Sequence, residues 1–287
     1  MKFSIIIPTY NRGYILWKAI QSVQNQSWNE WELIIVDDGS ADDTKKVVRE
    51  FQSDPRIHYL YKINGGPSSA RNAGLKMASG DIVTYLDSDD QIFVNYLSTA
   101  REFFEAHPDK HFALVNGNLS FEFYDQEGLC KSVKNVTTSY NFTPTLQDFY
   151  DWKAKSAVGT GCFFRNTSFK GKVKWNETFT PLEELDFLLQ LAVIEPEGFM
   201  FIPQILYSYK QKYGGDGVCS NASYEAWANA FEKIHALHKN DPLMRNPDVF
   251  LERVKKYRQM EIQCKNGEIP PSQFKYFPDF FKILIKY

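Results

Sequence analysis

The chain has 287 residues, 43% of them hydrophobic and 16% aromatic, ample to bury a core as one large domain or two fused lobes. A net charge of -2 excludes a broad basic field for nucleic acid or an anionic membrane surface. The four cysteines form no CxxC pair, so they carry no zinc signature and imply no disulfide framework.

The first element is the apolar run Phe3 to Ile7. It is too short for a signal peptide, and Pro8 ends it, so it reads as a buried strand. Ile15, Leu16, Ala19, Ile20 and Val23 then form a helical stripe over Tyr14 to Val23. Glu32 to Val36 is a second buried strand, and Asp37-Asp38-Gly39-Ser40 closes it. Asp42 or Asp43 is expected to cap a helix that runs to about Phe51. Ile57 to Tyr61 is a third strand, Ser68 to Ala78 a helix ended by Gly80, and Ile82 to Leu86 a fourth strand. Beyond residue 92 a helix is expected over Ile92 to Ala106 and a strand over Phe112 to Phe123, with a hairpin partner near Lys131 to Val136. Gly159-Thr160-Gly161-Cys162-Phe163-Phe164 reads as a short strand with little bulk at its start. A helix comes next over Leu182 to Ile194, opened by Pro181, then a strand within Phe199 to Tyr209. Two further helices are expected over Ala226 to His238 and Val249 to Cys264. The aromatic stretch Tyr276 to Tyr287, with Lys275, Lys282 and Lys286, is expected to pack on the protein, with contact to a membrane surface as the alternative. No run of 18 apolar residues exists, so no spanning helix is expected and the protein reads as soluble and cytoplasmic.

Strands and helices alternate over the first 90 residues, and the strands lack polar alternation. That pattern predicts an α/β fold with a mostly parallel sheet covered on both faces. Such sheets bind ligands beyond the carboxyl ends of their strands. Three polar clusters fall there: Thr9-Tyr10-Asn11, Asp37 to Ser40, and Asp87-Ser88-Asp89-Asp90. Each alone could be a turn or a cap. Together at one edge they point to a site. Asp87 and Asp89 are spaced to aim at one ligand, and hard carboxylate oxygens suit Mg²⁺ or Mn²⁺ shared with a diphosphate.

The stretches SIIIPTYNR, ELIIVDDGSADDT, GGPSSARNAGLKMASGDIVTYLDSDD and LEELDFLLQLA occur in that order. With them the chain resembles the family 2 glycosyltransferases of bacterial type. The resemblance covers about residues 1 to 215 and is densest in the first 95. It implies the GT-A fold, a Rossmann-like, mostly parallel sheet flanked by helices, here with a C-terminal helical extension. It divides the chain into a nucleotide-sugar-binding half at 1–92, an acceptor-binding half at 93–215 and the extension at 216–287. It implies transfer of a sugar, with inversion, from a nucleotide-diphosphate donor to a glycan or lipid-linked glycan. UDP-sugars are favoured as donors. The setting would be surface polysaccharide or glycoconjugate assembly, in the cytoplasm or at the inner face of the membrane.

By the same resemblance, Pro8, Tyr10, Asn11 and Arg12 line the donor, and Asp38 reads the base, with Asp37 its neighbour. Arg71 and Ser88 lie near the nucleotide. Asp87 serves ribose and metal, Asp89 is the direct ligand of Mg²⁺ or Mn²⁺, and Asp90 caps the next helix. Glu184 stands where the family carries its base, usually an Asp. Glu183 assists the acceptor and Asp186 is the alternative base. Lys212 replaces the family's diphosphate-binding histidine, and Gly214, Gly215 and Gly217 suit a closing loop. The five histidines match no family site and read as structural or surface. Aromatic residues from Phe121 to Trp152, including Phe142, Phe149 and Tyr150, could hold sugar rings, although core packing is the more frequent use.

The Glu-for-Asp exchange and the missing histidine leave an inactive nucleotide-sugar-binding relative as the alternative. A nucleotidyltransferase would carry a Gly-rich basic loop after the first strand, and an oxidoreductase would carry GxGxxG there. Pro8 to Arg12 is neither.

Overall fold

In a computed structural model of the protein, residues 1–124, 130–136, 142–154, 159–213 and 222–269 are described. Strands β1 (Phe3–Thr9), β2 (Trp31–Asp37), β3 (Ile57–Tyr61) and β4 (Ile82–Tyr85) pair in parallel in the order β3-β2-β1-β4. Helices α1 (Gly13–Gln24), α2 (Thr44–Phe51) and α3 (Pro67–Met77) connect them. The absence of polar alternation in β1, β2 and β4 has a direct cause, since both of their faces are covered, whereas the edge strand β3 leaves His58 and Tyr61 exposed. Phe3, Ile5 and Ile7 pack with Leu16, Ile20 and Val48 on one face. Ile6, Ile34 and Val36 pack with Ala70 and Leu188 on the other. Each such fully buried side chain is worth about 1.5–3 kcal/mol over an exposed one.

The second half completes the sheet out of chain order. Strand β8 (Cys162–Arg165) lies antiparallel to β4, and β6 (Phe112–Tyr124) antiparallel to β8. Strand β9 (Phe199–Tyr213) runs parallel to β6 and continues four residues past Tyr209. Strand β7 (Cys130–Val136) is the expected hairpin partner of β6. The helix expected from Ile92 starts instead at Tyr96, as α4 (Tyr96–Ala106). Gln91 and Ile92 form a two-residue strand, β5, against β9. There the backbone finds partners outside any helix, because Phe93 donates to the Leu206 carbonyl at 2.8 Å and Gln26 donates to the Phe93 carbonyl at 2.7 Å.

Short helices α5 (Leu146–Tyr150) and α6 (Asn166–Phe169) and the longer α7 (Glu183–Ile194) cover the α3 side. The C-terminal helices α8 (Tyr224–His238) and α9 (Asp248–Lys265) join the same core, with Trp152 edge-on to Phe231 and Trp227 stacked on Tyr257. Phe149 and Tyr150 are buried there, so these two aromatics serve packing. Among the described residues no helix is long and apolar enough to cross a membrane, and the stretch Tyr276 to Tyr287 lies outside them.

Helix α3 sits close on the sheet because Gly74 has no side chain. A Cβ there would lie 2.4 Å from Ile6 Cγ2 and 3.2 Å from Val36 Cγ2. Both neighbours are fixed in the sheet, so Gly74→Ala is expected to destabilise the fold by about 1–3 kcal/mol. Thermal melts check this, and an unchanged midpoint would mean that α3 can lift off β1 without loss.

Candidate active site

The carboxyl ends of the parallel strands carry the expected clusters. Pro8 does not end β1 as expected but is buried within it opposite Val36, and the strand runs on to Thr9, after which Tyr10 is half exposed. Asn11 takes a left-handed φ of 52° and is tied to the loop after β2: its amide donates to Ser40 Oγ at 2.8 Å, and its side-chain oxygen accepts from Ala41 N at 2.9 Å. The N-cap of α2 is Asp43, which makes no side-chain cap bond, and Asp42 before it accepts from Thr44 N at 3.0 Å and also from Gly13 N at 3.0 Å. One carboxylate thus joins the starts of α1 and α2.

Asp37 is fully buried and accepts from Ser40 N and the Tyr59 hydroxyl at 2.8 and 2.6 Å, a structural role. Asp38 differs from expectation. It is 3% exposed, and its carboxylate accepts from Lys62 Nζ, Gly65 N and Gly66 N on the loop after β3. That loop folds over it because Gly66 takes a φ of 87°, which disfavours any side chain. The carboxylate is therefore turned into the loop rather than presented to a base.

At the end of β4 the acidic turn divides by side. Asp87 and Asp89 are partly exposed, and Ser88 and Asp90 are buried. Asp90 N closes the turn on the Asp87 carbonyl at 3.0 Å, and Asp87 N donates to Thr160 Oγ1 at 2.9 Å. Each exposed carboxylate has a guanidinium neighbour. Arg71 Nη2 donates to Asp87 Oδ1 at 2.8 Å, and Arg12 Nη1 lies 3.5 Å from Asp89 Oδ2. Arg71 comes from α3, is buried, and lies over the Trp175 ring at 4.3 Å. Burial opposes its charge, but Asp87, Glu183 and Glu184 around it raise its pKa further. Among the described residues its Nε and Nη1 donors have no hydrogen-bond partner.

The opposite wall is the first turn of α7. Glu183 is buried, and among the described residues one of its oxygens has no hydrogen-bond partner. Burial raises its pKa, Arg71 pulls it down, and Asp87 adds to the rise. Glu184 is partly exposed. Its Oε1 lies 2.8 Å, and Asp87 Oδ2 2.7 Å, from the point that a Cβ on Gly159 would occupy. The turn Gly159-Thr160-Gly161 therefore leaves a gap on which the two carboxylates converge. Asp186 points elsewhere: it is buried, 3.0 Å from His238 Nε2, and accepts from Gln190 at 2.7 Å. His238 is buried with it rather than on the surface.

Asp87, Asp89, Arg12, Arg71, Glu183 and Glu184 are brought together, and Asp38 and Tyr10 lie at neighbouring strand ends. Lys212 is in β9, but its side chain lies outside the described residues, as do Gly214 to Gly217. Sequence reasoning missed Trp175 and the Lys62 loop. It noted the missing bulk at Gly159 without a role. Among the described residues no group of three or more acidic, His or Cys side chains is arranged to hold a metal. Asp87 and Asp89 nonetheless fit a hard divalent cation that takes its other ligands from phosphates and water.

The family model for Glycosyl transferase family 2 matches residues 4–171. A GalNAc(5)-diNAcBac-PP-undecaprenol beta-1,3-glucosyltransferase from Campylobacter jejuni is 44% identical over 124 residues, 42% of this chain and 39% of that protein. The glycosyltransferase GlyA of Streptococcus pneumoniae is 29% identical over 279 residues, 93% of this chain and 38% of that one. The chain thus spans about two fifths of the length of these curated relatives, and only a quarter of another, a Rickettsia bellii glycosyltransferase. Among solved structures, S. aureus TarS 1-349 in complex with UDP-GlcNAc superposes with a TM-score of 0.67 at 22% identity, covering 100% of this chain and 79% of that one.

Proposed function

The chain belongs to glycosyl transferase family 2, and we propose that it transfers a sugar, with inversion, from a UDP-sugar to a glycan or lipid-linked glycan acceptor. Its fold is the GT-A fold expected from the sequence. One observation carries the reading: Asp87 and Glu184, assigned opposite tasks, converge on the gap left by Gly159. Residues 1–92 would hold the nucleotide and 93–215 the acceptor.

In this reading the acceptor hydroxyl enters beside Glu184. The carboxylate takes its proton, and the oxygen forms the new bond to the anomeric carbon. The bond from that carbon to the diphosphate breaks with its electron pair, and UDP leaves on the opposite face. Asp87 and Asp89 would hold Mg²⁺ or Mn²⁺, which supplies charge neutralisation for the diphosphate when bound. Arg71 fixes Asp87, and Trp175 supports Arg71 from beneath. Glu183 stays close to the acceptor side. Tyr10 offers a ring to the base, and Asn11, Arg12 and Ser88 border the same donor cleft. Asp38 bounds the cleft by holding the loop of Lys62, Gly65 and Gly66 in place. Lys212 would meet the diphosphate. Support for UDP comes from the UDP-GlcNAc complex of TarS, and support for a lipid-linked glycan from the name of the Campylobacter relative. The setting would be surface glycan assembly at the cytoplasmic face of a membrane.

Thermal shift with UDP-, GDP- and dTDP-sugars, with and without Mn²⁺, tests the donor. Ligand at 100 times its Kd stabilises the native state by about 2.7 kcal/mol. A rise with the UDP-sugars alone is expected, larger with Mn²⁺. A rise with GDP-sugars instead would replace the base, and no rise with any nucleotide would favour an inactive relative.

A further inference from the structure

We propose that His238 is a positioning residue for Glu184: clamped between Asp186 and Asp241, it fixes the first turn of α7 from a helix that lies outside the family-matched residues. The inference rests on the glycosyltransferase reading above for its catalytic meaning, and on geometry for its mechanical meaning.

The start of α7 is poorly secured by its own residues. Its N-cap is Leu182, which takes a φ of 76° and offers no side-chain hydrogen bond. A bulky residue in the left-handed region is strained and persists only where its surroundings hold it. The helix then places Glu183, Glu184 and Asp186 in one turn. The dipole favours them there, but it does not choose their direction.

Asp186 supplies the missing anchor. Two residues apart on a helix lie about 200° apart. Asp186 therefore holds the back of the turn whose front carries Glu184. Its two oxygens meet His238 Nε2 at 3.0 Å and Gln190 Nε2 at 2.7 Å. The other imidazole nitrogen, Nδ1, lies 2.6 Å from Asp241 Oδ2, which also accepts from the Tyr150 hydroxyl at 3.2 Å. Asp186 and His238 are 2% and 5% exposed. An imidazolium donates to both carboxylates at once. Burial opposes that charge, but the bonds to Asp186 and Asp241 outweigh it and push the pKa up from 6.5 to about 9. The groups facing His238 are Asp186 on α7 and Asp241 after α8, with Tyr150 on α5 behind Asp241. A small displacement of a positioned group can lower a rate by about a hundredfold.

Two variants separate the two bonds. His238→Gln places an amide near Nε2 and keeps the reach to Asp186. His238→Asn places one near Nδ1 and reaches Asp241 only. Hydrogen exchange of amides 186–188, the first that bond back across the opening turn of α7, is measured in the full chain, together with UDP affinity in Mn²⁺ and UDP release from UDP-GlcNAc. For His238→Asn, exchange is expected to rise, and UDP release to fall, at least about tenfold, with UDP affinity within about twofold. His238→Gln should stay near the unaltered protein in all three. The clamp is strongest below pH 6.5 and is lost as the pH rises through about 9. Exchange at 186–188 should therefore quicken beyond its intrinsic rise over that range, and Asp241→Asn, a milder change, should shift that window downward. Unchanged exchange in His238→Asn overturns the proposal, as does equal loss of UDP affinity and turnover. If the unaltered protein neither binds UDP nor releases it, the functional reading falls, and the exchange arm still decides whether His238 holds the turn.

Discussion

Glu184→Gln is expected to lower sugar transfer about 10³-fold and to leave UDP affinity within about twofold, because it removes only the proton acceptor. The exchange is nearly isosteric, and Glu184 is partly exposed, so the melting midpoint should hardly move. Two observations favour it over Asp186. Its Oε1 opens on the gap at Gly159, and the Asp186 carboxylate is engaged by His238 and Gln190. The family's usual Asp is one methylene shorter, so Glu184→Asp gives a useful comparison. It should recover part of the rate, since the base survives while its reach shortens. Stopped assays at saturating donor, with UDP titrations alongside, separate kcat from binding. Transfer at a normal rate by Glu184→Gln would move the base to another group.

Asp89→Ala should weaken UDP binding in Mn²⁺ about 10- to 100-fold and leave metal-free binding almost untouched. A doubly charged ion held by one carboxylate instead of two loses much of its grip on the diphosphate. The variant also strips Arg12 of a carboxylate 3.5 Å away. That guanidinium could then meet a phosphate itself, so any residual binding should fall as salt is raised. Calorimetric titration of UDP at several Mn²⁺ concentrations reads both effects. The same Mn²⁺ enhancement in Asp89→Ala and in the parent would remove Asp89 from the metal site and return the acidic turn to solvent.

Strands β1, β2 and β4 were legible because each is covered on both faces and so lacks polar alternation, as Ile5, Ile6 and Ile7 illustrate by alternating between the two cores. Asp87 and Asp89 could be picked out because they end such a strand. The second half of the chain was less legible. The order β4-β8-β6-β9-β5 is set by pairing between distant segments, and no local pattern encodes it. Trp175 gave no sign of lying beneath Arg71, a contact across about 100 residues. Gly159 showed a lack of bulk but not the two carboxylates it admits. Even in the first half, the Asp38 carboxylate looked open in sequence, since nothing local says that Gly65 and Gly66 will turn their amides onto it.

The placement of β4 has a consequence for synthesis. It becomes an inner strand only when β8, about 80 residues downstream, pairs with its free side. Ribosomes add about 5–20 residues per second. The nascent sheet of β3, β2, β1 and β4 therefore waits roughly 4–16 s with a hydrophobic edge uncovered. During that interval the growing chain presents a template for unwanted strand pairing, a hazard that the finished sheet no longer carries at β4.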